Sequence, residues 1–422
     1  MEEDRFSPGG SPDLRADTET REATRFWQGF AAGLVAVIVG LLVAGYYLKP
    51  VILPASVRSE KGLDTREMAD MMEKTNFILN TVQNEYVLED LPKDVLVEGI
   101  YRGIMGTLED RYAAYYTAEE YENIRRNAQG SYGGMGFTLT SERVIVEVKP
   151  KSPAEAAGLA AEDVIVAVNG TDITGMTQSE YMPLLRGSVG DVRNLTIKRP
   201  STGETLEISV TLAIIENETV TWKWLPGGIA YLKLTAFENV SEHQFDDAWA
   251  EITQNPDFKG FILDLRNNPG GGLGNVTHIA GSLVPEGLIA YTEDKRGNVE
   301  EFNSTGSGCP VPMAVLVNGS SASASELLTG ALKDRGVALV VGETTYGKGI
   351  VQTTWSWGDG SAFKMTTAKY YTPSGNEIQG SGITPDIEVK PSEGDVQGDP
   401  GTDAVLRAAI EAISGTEKEA AA

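Results

Sequence analysis

Short apolar segments alternate with amphipathic segments over the second half of the chain, and this alternation is the strongest constraint on its fold. Beyond residue 218, "GIAYLKLTAF", "FKGFILDLRNN", "MAVLVNG" and "VALVVGE" have the apolar, β-branched character of strands. Helical patterns separate them, among them "SEHQFDDAWAEITQN" and "SASELLTGALKDRG". Strands joined by crossover helices build a mostly buried, largely parallel sheet. The sequence therefore predicts an α/β core.

One segment near the amino terminus has the properties of a membrane span. The 23 residues from Phe26 to Leu48 carry no charge, and about 20 apolar residues cross a bilayer as a helix. Trp27, Tyr46 and Tyr47 stand at its ends, where interfacial aromatic residues are common. A cleaved signal peptide is the alternative, but its apolar region is usually shorter. We therefore expect a single-pass protein of the cell membrane, with the polar leader in the cytoplasm and the bulk of the chain on the other side of the membrane.

Composition excludes several classes of function. Lys and Arg number 35 against 60 Asp and Glu, a net charge of −25, so we expect no binding to nucleic acid. Cys309 is the only cysteine, which excludes an internal disulfide and a cysteine metal cluster. The only histidines are His243 and His278, and neither lies in a sequence context typical of a catalytic base. We expect no metal and no cofactor.

Four serines cluster in "GSSASASELLTG" (319–330), directly after the apolar strand "MAVLV". A helix N-cap is the simpler interpretation. The run nevertheless stands between the carboxyl end of a strand and the start of a helix, where α/β sheets bind ligands and where free N–H groups can stabilise an oxyanion. A serine nucleophile would need a base, and a buried, neutral lysine can serve. Lys348, flanked by Gly347 and Gly349, is the candidate.

Two further motifs are misleading. "GETTYGKG" (342–349) resembles a P-loop, but Gly349 replaces the Ser or Thr that would bind magnesium, and a β-type segment follows instead of a helix. "SAFK" (361–364) fits S-x-x-K but lies in strand-like sequence, where residues three apart point to opposite faces. We expect neither nucleotide binding nor penicillin-binding chemistry.

Four motifs in order resemble the carboxyl-terminal processing peptidases, also called tail-specific proteases. They are "FILDLRNNPGG" (261–271), "VLVNGSSASASELLTGALKD" (315–334), "GETTYGKGIVQ" (342–352) and "YYTPSGNEIQGSGITPDIEV" (370–389). "LEDRYAAYYTAEEY" and "GSYGGMGFTL" are similar to the helical lead-in and the PDZ start of that family. The resemblance covers roughly residues 65–413.

The resemblance implies a Ser–Lys endopeptidase. Ser323 would be the nucleophile, Lys348 the general base, and Gln352 the residue that orients the lysine. The oxyanion hole would be formed by backbone N–H groups, those of Ala324 and of a glycine of "NPGG", Gly271 or Gly270.

Residues 131–213 resemble a PDZ domain. "GGMGF" is similar to the loop with which PDZ domains hold a peptide carboxylate, and it assigns substrate binding to Gly134, Met135, Gly136 and Phe137. An ordinary glycine-rich hairpin is the alternative.

Two other positions of this domain stand out. Arg186 ends the helical pattern "TQSEYMPLLRG". It would either interact with that helix terminus or connect bound peptide to the protease core. Glu162 replaces the glycine usual in the family, so we expect a slightly strained turn.

Together these observations predict an α/β (α+β) protease core with an inserted PDZ domain, an N-terminal helical segment and one N-terminal transmembrane helix. The expected parts are a disordered cytoplasmic leader (1–25), the transmembrane helix (26–48), the helical segment (64–130), the PDZ domain (131–213), the Ser–Lys peptidase core (214–391) and a C-terminal helix and tail (392–422).

The predicted function is that of a membrane-anchored serine endopeptidase whose PDZ domain docks substrate C-termini. The expected partners are proteins or peptides with exposed apolar C-termini, the membrane, and a possible regulatory adaptor or second copy of the chain. A catalytically inactive PDZ adaptor is the alternative.

Overall fold

The computed structural model of the protein describes residues 62–420. The helices of this part are α1 (Thr65–Glu85), α2 (Lys93–Gly106), α3 (Ala118–Gln129), α4 (Pro153–Ala156), α5 (Gln178–Leu185), α6 (Asn239–Thr253), α7 (Leu273–Leu283), α8 (Ala324–Asp334) and α9 (Ala404–Ala420). The strands are β1 (Ala114–Tyr116), β2 (Ser131–Gly134), β3 (Phe137–Leu139), β4 (Ile145–Val148), β5 (Val164–Val168), β6 (Thr171–Asp172), β7 (Val192–Arg199), β8 (Glu204–Thr211), β9 (Ala213–Glu216), β10 (Val220–Leu225), β11 (Ile229–Leu234), β12 (Gly260–Asp264), β13 (Pro285–Asp294), β14 (Val299–Ser307), β15 (Met313–Val317), β16 (Ala338–Gly342), β17 (Ile350–Ser356), β18 (Ala362–Tyr371) and β19 (Ile387–Glu388).

A six-stranded sheet in the order β10-β11-β12-β15-β16-β19 forms the centre of the predicted protease core. All neighbours are parallel except β10 and β11. Every residue of β12 and β15 is buried, because apolar side chains from α6, α7 and α8 cover one face and those of α9 cover the other. The alternation of strand and helix predicted from the sequence is present here.

A second, antiparallel sheet lies beside the parallel one. Its order is β1-β18-β13-β14, and β17 pairs with β18. The sequence analysis did not predict the hairpin β13–β14, and it assigned β1 to a helical segment. β1 is only three residues long, and it forms because Ala114, Tyr115 and Tyr116 pair with β18 far along the chain. Local periodicity contains no information about such a pairing.

The PDZ domain is inserted between β1 and β10. Strands β2 and β9 pair where the chain enters and leaves it, and a separate apolar core fills its interior. Its main sheet has the order β6-β5-β7-β8, with β3–β4 and α5 completing the domain. Glu162 adopts a φ of 73°, a left-handed conformation that is unfavourable for a residue with a side chain, as expected where the family has glycine.

The described residues divide between two compact units, with the boundary between Lys93 and Asp94. The described part of the first contains α1. This helix begins with a capping box in which Asp64 Oδ1 accepts the Glu67 N–H at 2.9 Å and Glu67 Oε2 accepts the Asp64 N–H at 2.9 Å. The PDZ domain and both sheets of the protease core belong to the second unit.

The predicted fold class requires a correction. Across residues 62–420, none of the helices combines the length and the apolar composition needed to cross a bilayer. The segment predicted to span the membrane, residues 26–48, and the leader 1–25 lie outside the described residues. The fold class is therefore a mixed α/β protease fold with a PDZ domain. The transmembrane helix is withdrawn from it, and so is the predicted single-pass localisation at the cell membrane.

Candidate active site

Ser323 occupies the turn between β15 and α8 in a strained conformation. Its φ of 57° and ψ of −114° are rare for a residue with a side chain and cost about 1–3 kcal/mol. A sharp strand-to-helix turn of this kind presents a serine hydroxyl to substrate in other hydrolases. The Ser323 backbone supports the helix start, since its carbonyl accepts the N–H groups of Glu326 and Leu327, while its hydroxyl makes no capping hydrogen bond.

The neighbouring serines have structural partners. The buried Ser321 hydroxyl donates to the Leu265 carbonyl at 2.8 Å, and the buried Ser325 hydroxyl donates to the Asn268 carbonyl at 2.9 Å. Both bonds join the serine run to the loop that follows β12. Ser320 is exposed and does not line the cavity that contains Ser323. Of the four serines, Ser323 is therefore the one placed to react.

The glycine loop after β12 lies directly against Ser323. A Cβ on Gly270 would be 2.7 Å from the Ala322 carbonyl oxygen and 2.9 Å from the Ala324 nitrogen. Only glycine permits this approach. The Gly270 N–H is already bound to Asn268 Oδ1 at 2.8 Å.

Two other N–H groups belong to residues that line the Ser323 cavity and remain available for substrate. Within the described residues no hydrogen bond engages the N–H of Gly271 or of Ala324, and both residues line the same cavity as Ser323. Of the two glycines predicted for the oxyanion hole, the geometry thus favours Gly271 over Gly270.

Lys348 follows β16 and lies half-buried in the cavity of about 320 Å³ that also contains Ser323. Burial lowers the pKa of Lys348, and repulsion by Lys364 and Arg111 lowers it further, against the attraction of Glu326 and Asp110. A lowered pKa increases the neutral fraction of the amine, which is the form that can accept a proton. No hydrogen bond joins Lys348 Nζ to the Ser323 hydroxyl in this structure.

Glu326 connects the serine turn to the lysine turn, and the sequence analysis missed it. This fully buried carboxylate accepts the N–H groups of Ser323 and Lys348, both at 2.8 Å. Its other oxygen accepts the Gly347 N–H and the Thr345 hydroxyl, both at 2.6 Å. The signal in the sequence is the S-x-x-E spacing of a capping box from Ser323 to Glu326.

Tyr370 on β18 is a second contact that the sequence analysis missed. Its buried hydroxyl lies 3.0 Å from the carbonyl oxygen of Ser323 and also contacts the carbonyl oxygen of Lys348. Burial and the nearby Glu326 carboxylate raise the pKa of Tyr370 well above its usual range, so the phenol stays protonated and can donate. Tyr370 and Glu326 thus hold the same two turns: the Tyr370 hydroxyl contacts their carbonyl oxygens as a donor, and the Glu326 carboxylate accepts hydrogen bonds from their N–H groups.

Gln352 on β17 lines the Ser323 cavity, but its hydrogen bond is local. Its side-chain amide donates to the Ile350 carbonyl at 3.2 Å, and within the described residues no hydrogen bond joins it to Lys348. The two histidines do not line this cavity. His243 Nε2 lies 3.0 Å from Glu216, and His278 Nε2 lies 2.8 Å from Asp246.

The predicted PDZ residues meet in one groove of about 490 Å³. Its lining includes all five of them: Gly134, Met135, Gly136, Phe137 and Arg186. The N–H groups of Met135 and Gly136 form no hydrogen bond within the described part of the chain. Arg186 is exposed at the end of α5, and among residues 62–420 its side chain has no ion-pair partner. Arg126 from α3, outside the PDZ domain, also lines the groove.

Comparison with known proteins agrees with this architecture. A family model described as peptidase family S41 matches residues 228–389, and a PDZ domain model matches residues 144–199. The carboxy-terminal-processing protease of Bartonella bacilliformis is 34% identical over 363 residues, which are 82% of this chain and 81% of that protein.

Two further relatives have related names. Carboxy-terminal processing protease CtpB of Bacillus subtilis is 32% identical over 346 residues, 80% of this chain and 71% of that protein. Among solved structures, the photosystem II D1 C-terminal processing protease is 27% identical with a TM-score of 0.48, and the match covers 82% of this chain and 98% of that one. The chain belongs to peptidase family S41 and is a serine peptidase of the carboxy-terminal-processing type.

Proposed function

We propose that the protein hydrolyses peptide bonds with a Ser323–Lys348 dyad and that its PDZ groove docks substrate C-termini. The observation that carries the dyad is the shared Glu326 carboxylate, which binds the backbone of both residues and brings their turns to one cavity. The free N–H groups of Ala324 and Gly271 support the oxyanion hole.

The chemistry follows from these positions. Neutral Lys348 accepts the proton of the Ser323 hydroxyl as its oxygen attacks the substrate carbonyl carbon. Two N–H donors, those of Ala324 and Gly271, stabilise the negative oxygen of the tetrahedral intermediate. The Lys348 ammonium then protonates the leaving amine as the peptide bond breaks, which leaves an acyl-enzyme. Lys348 removes a proton from the water that hydrolyses this ester, and Ser323 is regenerated.

Gln352 is proposed to hold the lysine during this cycle. It lines the same cavity as Lys348, four residues further along the chain, and rotation of its side chain away from the Ile350 carbonyl would free it to do so. The alternative of an inactive adaptor is disfavoured, because the residues of the dyad and the oxyanion donors are all present in one cavity.

The dyad is tested with Ser323→Ala, Lys348→Ala and the double variant, using a disordered protein as substrate. We expect each single variant to lose about four orders of magnitude or more in kcat, and the double variant to lose no more, because the two residues act as a unit. Ser320→Ala, an exposed serine of the same run, is the matched control. Substantial turnover by either folded single variant would refute the assignment.

A further inference from the structure

The loop between α2 and β1, residues 107–113, reaches the lysine turn from a distant part of the sequence. Asp110 fixes this loop, since its carboxylate accepts the Thr366 N–H of β18 at 3.2 Å and the Tyr112 N–H at 2.9 Å. The pairing of β1 with β18 holds the next residues. The loop is therefore anchored to the same strand that carries Tyr370.

Tyr112 places its ring against the catalytic amine. Lys348 Nζ lies 4.5 Å from the centroid of the Tyr112 ring. Within the described residues, Nζ has neither a hydrogen bond nor an ion pair, and the Tyr112 ring is the aromatic group that lies against it. An aromatic face attracts an ammonium ion through its quadrupole and does not attract a neutral amine in this way.

Arg111 holds the Tyr112 ring in place. Its guanidinium carbon lies 4.7 Å from the centroid of that ring and 5.5 Å from the centroid of Tyr346, and it donates to the hydroxyls of both. Tyr346 precedes Lys348 by two residues, so the stack spans from the loop to the lysine turn. A ring fixed in this way can select one position of the lysine side chain.

Charged and polar groups on other elements also lie near the Lys348 amine. The cations Arg111 and Lys364 oppose its charge, the carboxylates Glu326 and Asp110 favour it, and the Tyr370 hydroxyl contacts its backbone carbonyl. Against these charges, the Tyr112 ring supplies a cation–π contact with Nζ itself.

We propose that Tyr112 is a positioning residue that keeps the protonated Lys348 on its ring in the resting enzyme and releases the amine toward Ser323 when the proton is lost. This inference rests on the proposed dyad. It gives the loop at residues 107–113 a role in the reaction, which neither the resemblance to the family nor the PDZ groove had assigned to it. Because the ring stabilises only the charged form, it raises the pH at which the lysine becomes a base.

The test compares the pH dependence of kcat/KM for the wild type, Tyr112→Phe and Tyr112→Leu. We expect Tyr112→Leu to move the rising limb to lower pH by about half a unit or more, from the size of a cation–π contact. Tyr112→Phe keeps the ring and should keep the limb within about 0.2 units of the wild type. An unmoved limb in Tyr112→Leu, or an equal shift in Tyr112→Phe, would overturn the proposal. Tyr112→Met replaces the leucine variant if the latter does not fold.

A second measurement separates this inference from the dyad itself. In a Ser323→Ala background, the pH dependence of Lys348 acetylation, followed by mass spectrometry, reports the proton on Nζ without any proteolysis. We expect the pH midpoint of Lys348 acetylation to be lower in Tyr112→Leu and unchanged in Tyr112→Phe. An unchanged midpoint in Tyr112→Leu would refute the role of the ring. A midpoint that falls while Ser323→Ala still cleaves substrate would refute the dyad and leave the ring contact supported.

Discussion

At the scale of single residues, the site depends on a carboxylate that takes no part in the proposed chemistry. Glu326 is fully buried and accepts four hydrogen bonds, two of them from the backbone of the proposed nucleophile and base. A buried group with all its bonds satisfied fixes its partners, whereas one that loses them leaves unpaired donors in a dry environment. The backbone geometry of the proposed dyad is thus fixed by the Glu326 carboxylate.

We predict that Glu326→Gln lowers both stability and activity. The side-chain NH₂ would face N–H donors, so at least one buried donor would lose its acceptor, at a cost of about 1–3 kcal/mol. The free energy of unfolding, from denaturant titration, should fall by this amount, and kcat should fall at least about tenfold. Glu411→Gln makes the same chemical change at an exposed position of α9 and should leave both values unchanged. Wild-type activity and stability in Glu326→Gln would contradict this account.

The residues of the site were not equally predictable. The serine run and Lys348 stand in segments with turn glycines and a strand before them, so the sequence pattern singles out both, and the family resemblance selects Ser323 within the run. Tyr370 and Tyr112 also lie in segments that resemble the family, but the resemblance assigned neither of them a role. Their importance comes from contacts with the lysine turn, 22 and more than 200 residues away, which no local pattern encodes.

At the scale of elements, β18 organises the site. It pairs with β1, β13 and β17, it carries Tyr370, and it also carries Lys364. The buried parallel strands were predictable because their apolar runs are continuous and helices separate them. The antiparallel strands were predicted only in part. Residues of β17 and β18 have strand-like sequence, whereas β1 was assigned to a helical segment and the hairpin β13–β14 was not predicted, since β1 has only three residues and pairs with a strand far along the chain.

We predict that Lys364→Gln shifts the activity profile to higher pH. The Lys364 charge disfavours protonation of Lys348, so its removal raises the pKa of Lys348 and less of the amine is neutral at a given pH. The rising limb of kcat/KM should move up by a few tenths of a pH unit, an effect that high salt should reduce. Lys369→Gln is the control, since Lys369 lies exposed on the same strand and pairs with Glu377 at 2.6 Å. A downward shift, or the same shift in both variants, would contradict this electrostatic account.

At the scale of the whole molecule, the PDZ domain is an insertion within the protease core, not an appended module. The chain leaves the core after β1 and α3, pairs β2 with β9, and returns through β10. Asn217, just after β9, donates to the Glu238 carboxylate at 3.0 Å, and the Gln244 amide of α6 donates to the Asn217 carbonyl at 2.8 Å. The junction is therefore hydrogen-bonded to α6 and its N-cap, and α6 covers the parallel sheet. Displacement of the PDZ domain would strain these hydrogen bonds and so act on the protease core.

The last prediction concerns the carboxylate of the substrate. The groove presents free N–H groups at Met135 and Gly136 and two exposed cations, Arg186 and Arg126, which together suit a terminal carboxylate more than an amide. We expect amidation of a substrate's C-terminus to slow its cleavage, mainly through a higher KM, by roughly five- to tenfold, the effect of about 1 kcal/mol of lost binding.

The variant Arg186→Ala distinguishes two roles of this residue: binding of the substrate C-terminus in the groove, and transmission of that binding to the protease core. If Arg186 transmits docking to the protease core, the variant should lower kcat for the free-acid substrate more than it lowers the affinity for an isolated C-terminal peptide, measured by calorimetry. Arg125→Ala is the control, because Arg125 neighbours Arg126 on α3 but pairs with Glu122 at 3.3 Å and does not line the groove. Equal cleavage of the acid and amide substrates would show that the groove does not read the carboxylate. If Arg186→Ala changed only the thermal stability, the coupling role would be refuted. The role of Arg186 would then be its interaction with the end of α5, where a cation stabilises a helix by about 0.3–1 kcal/mol.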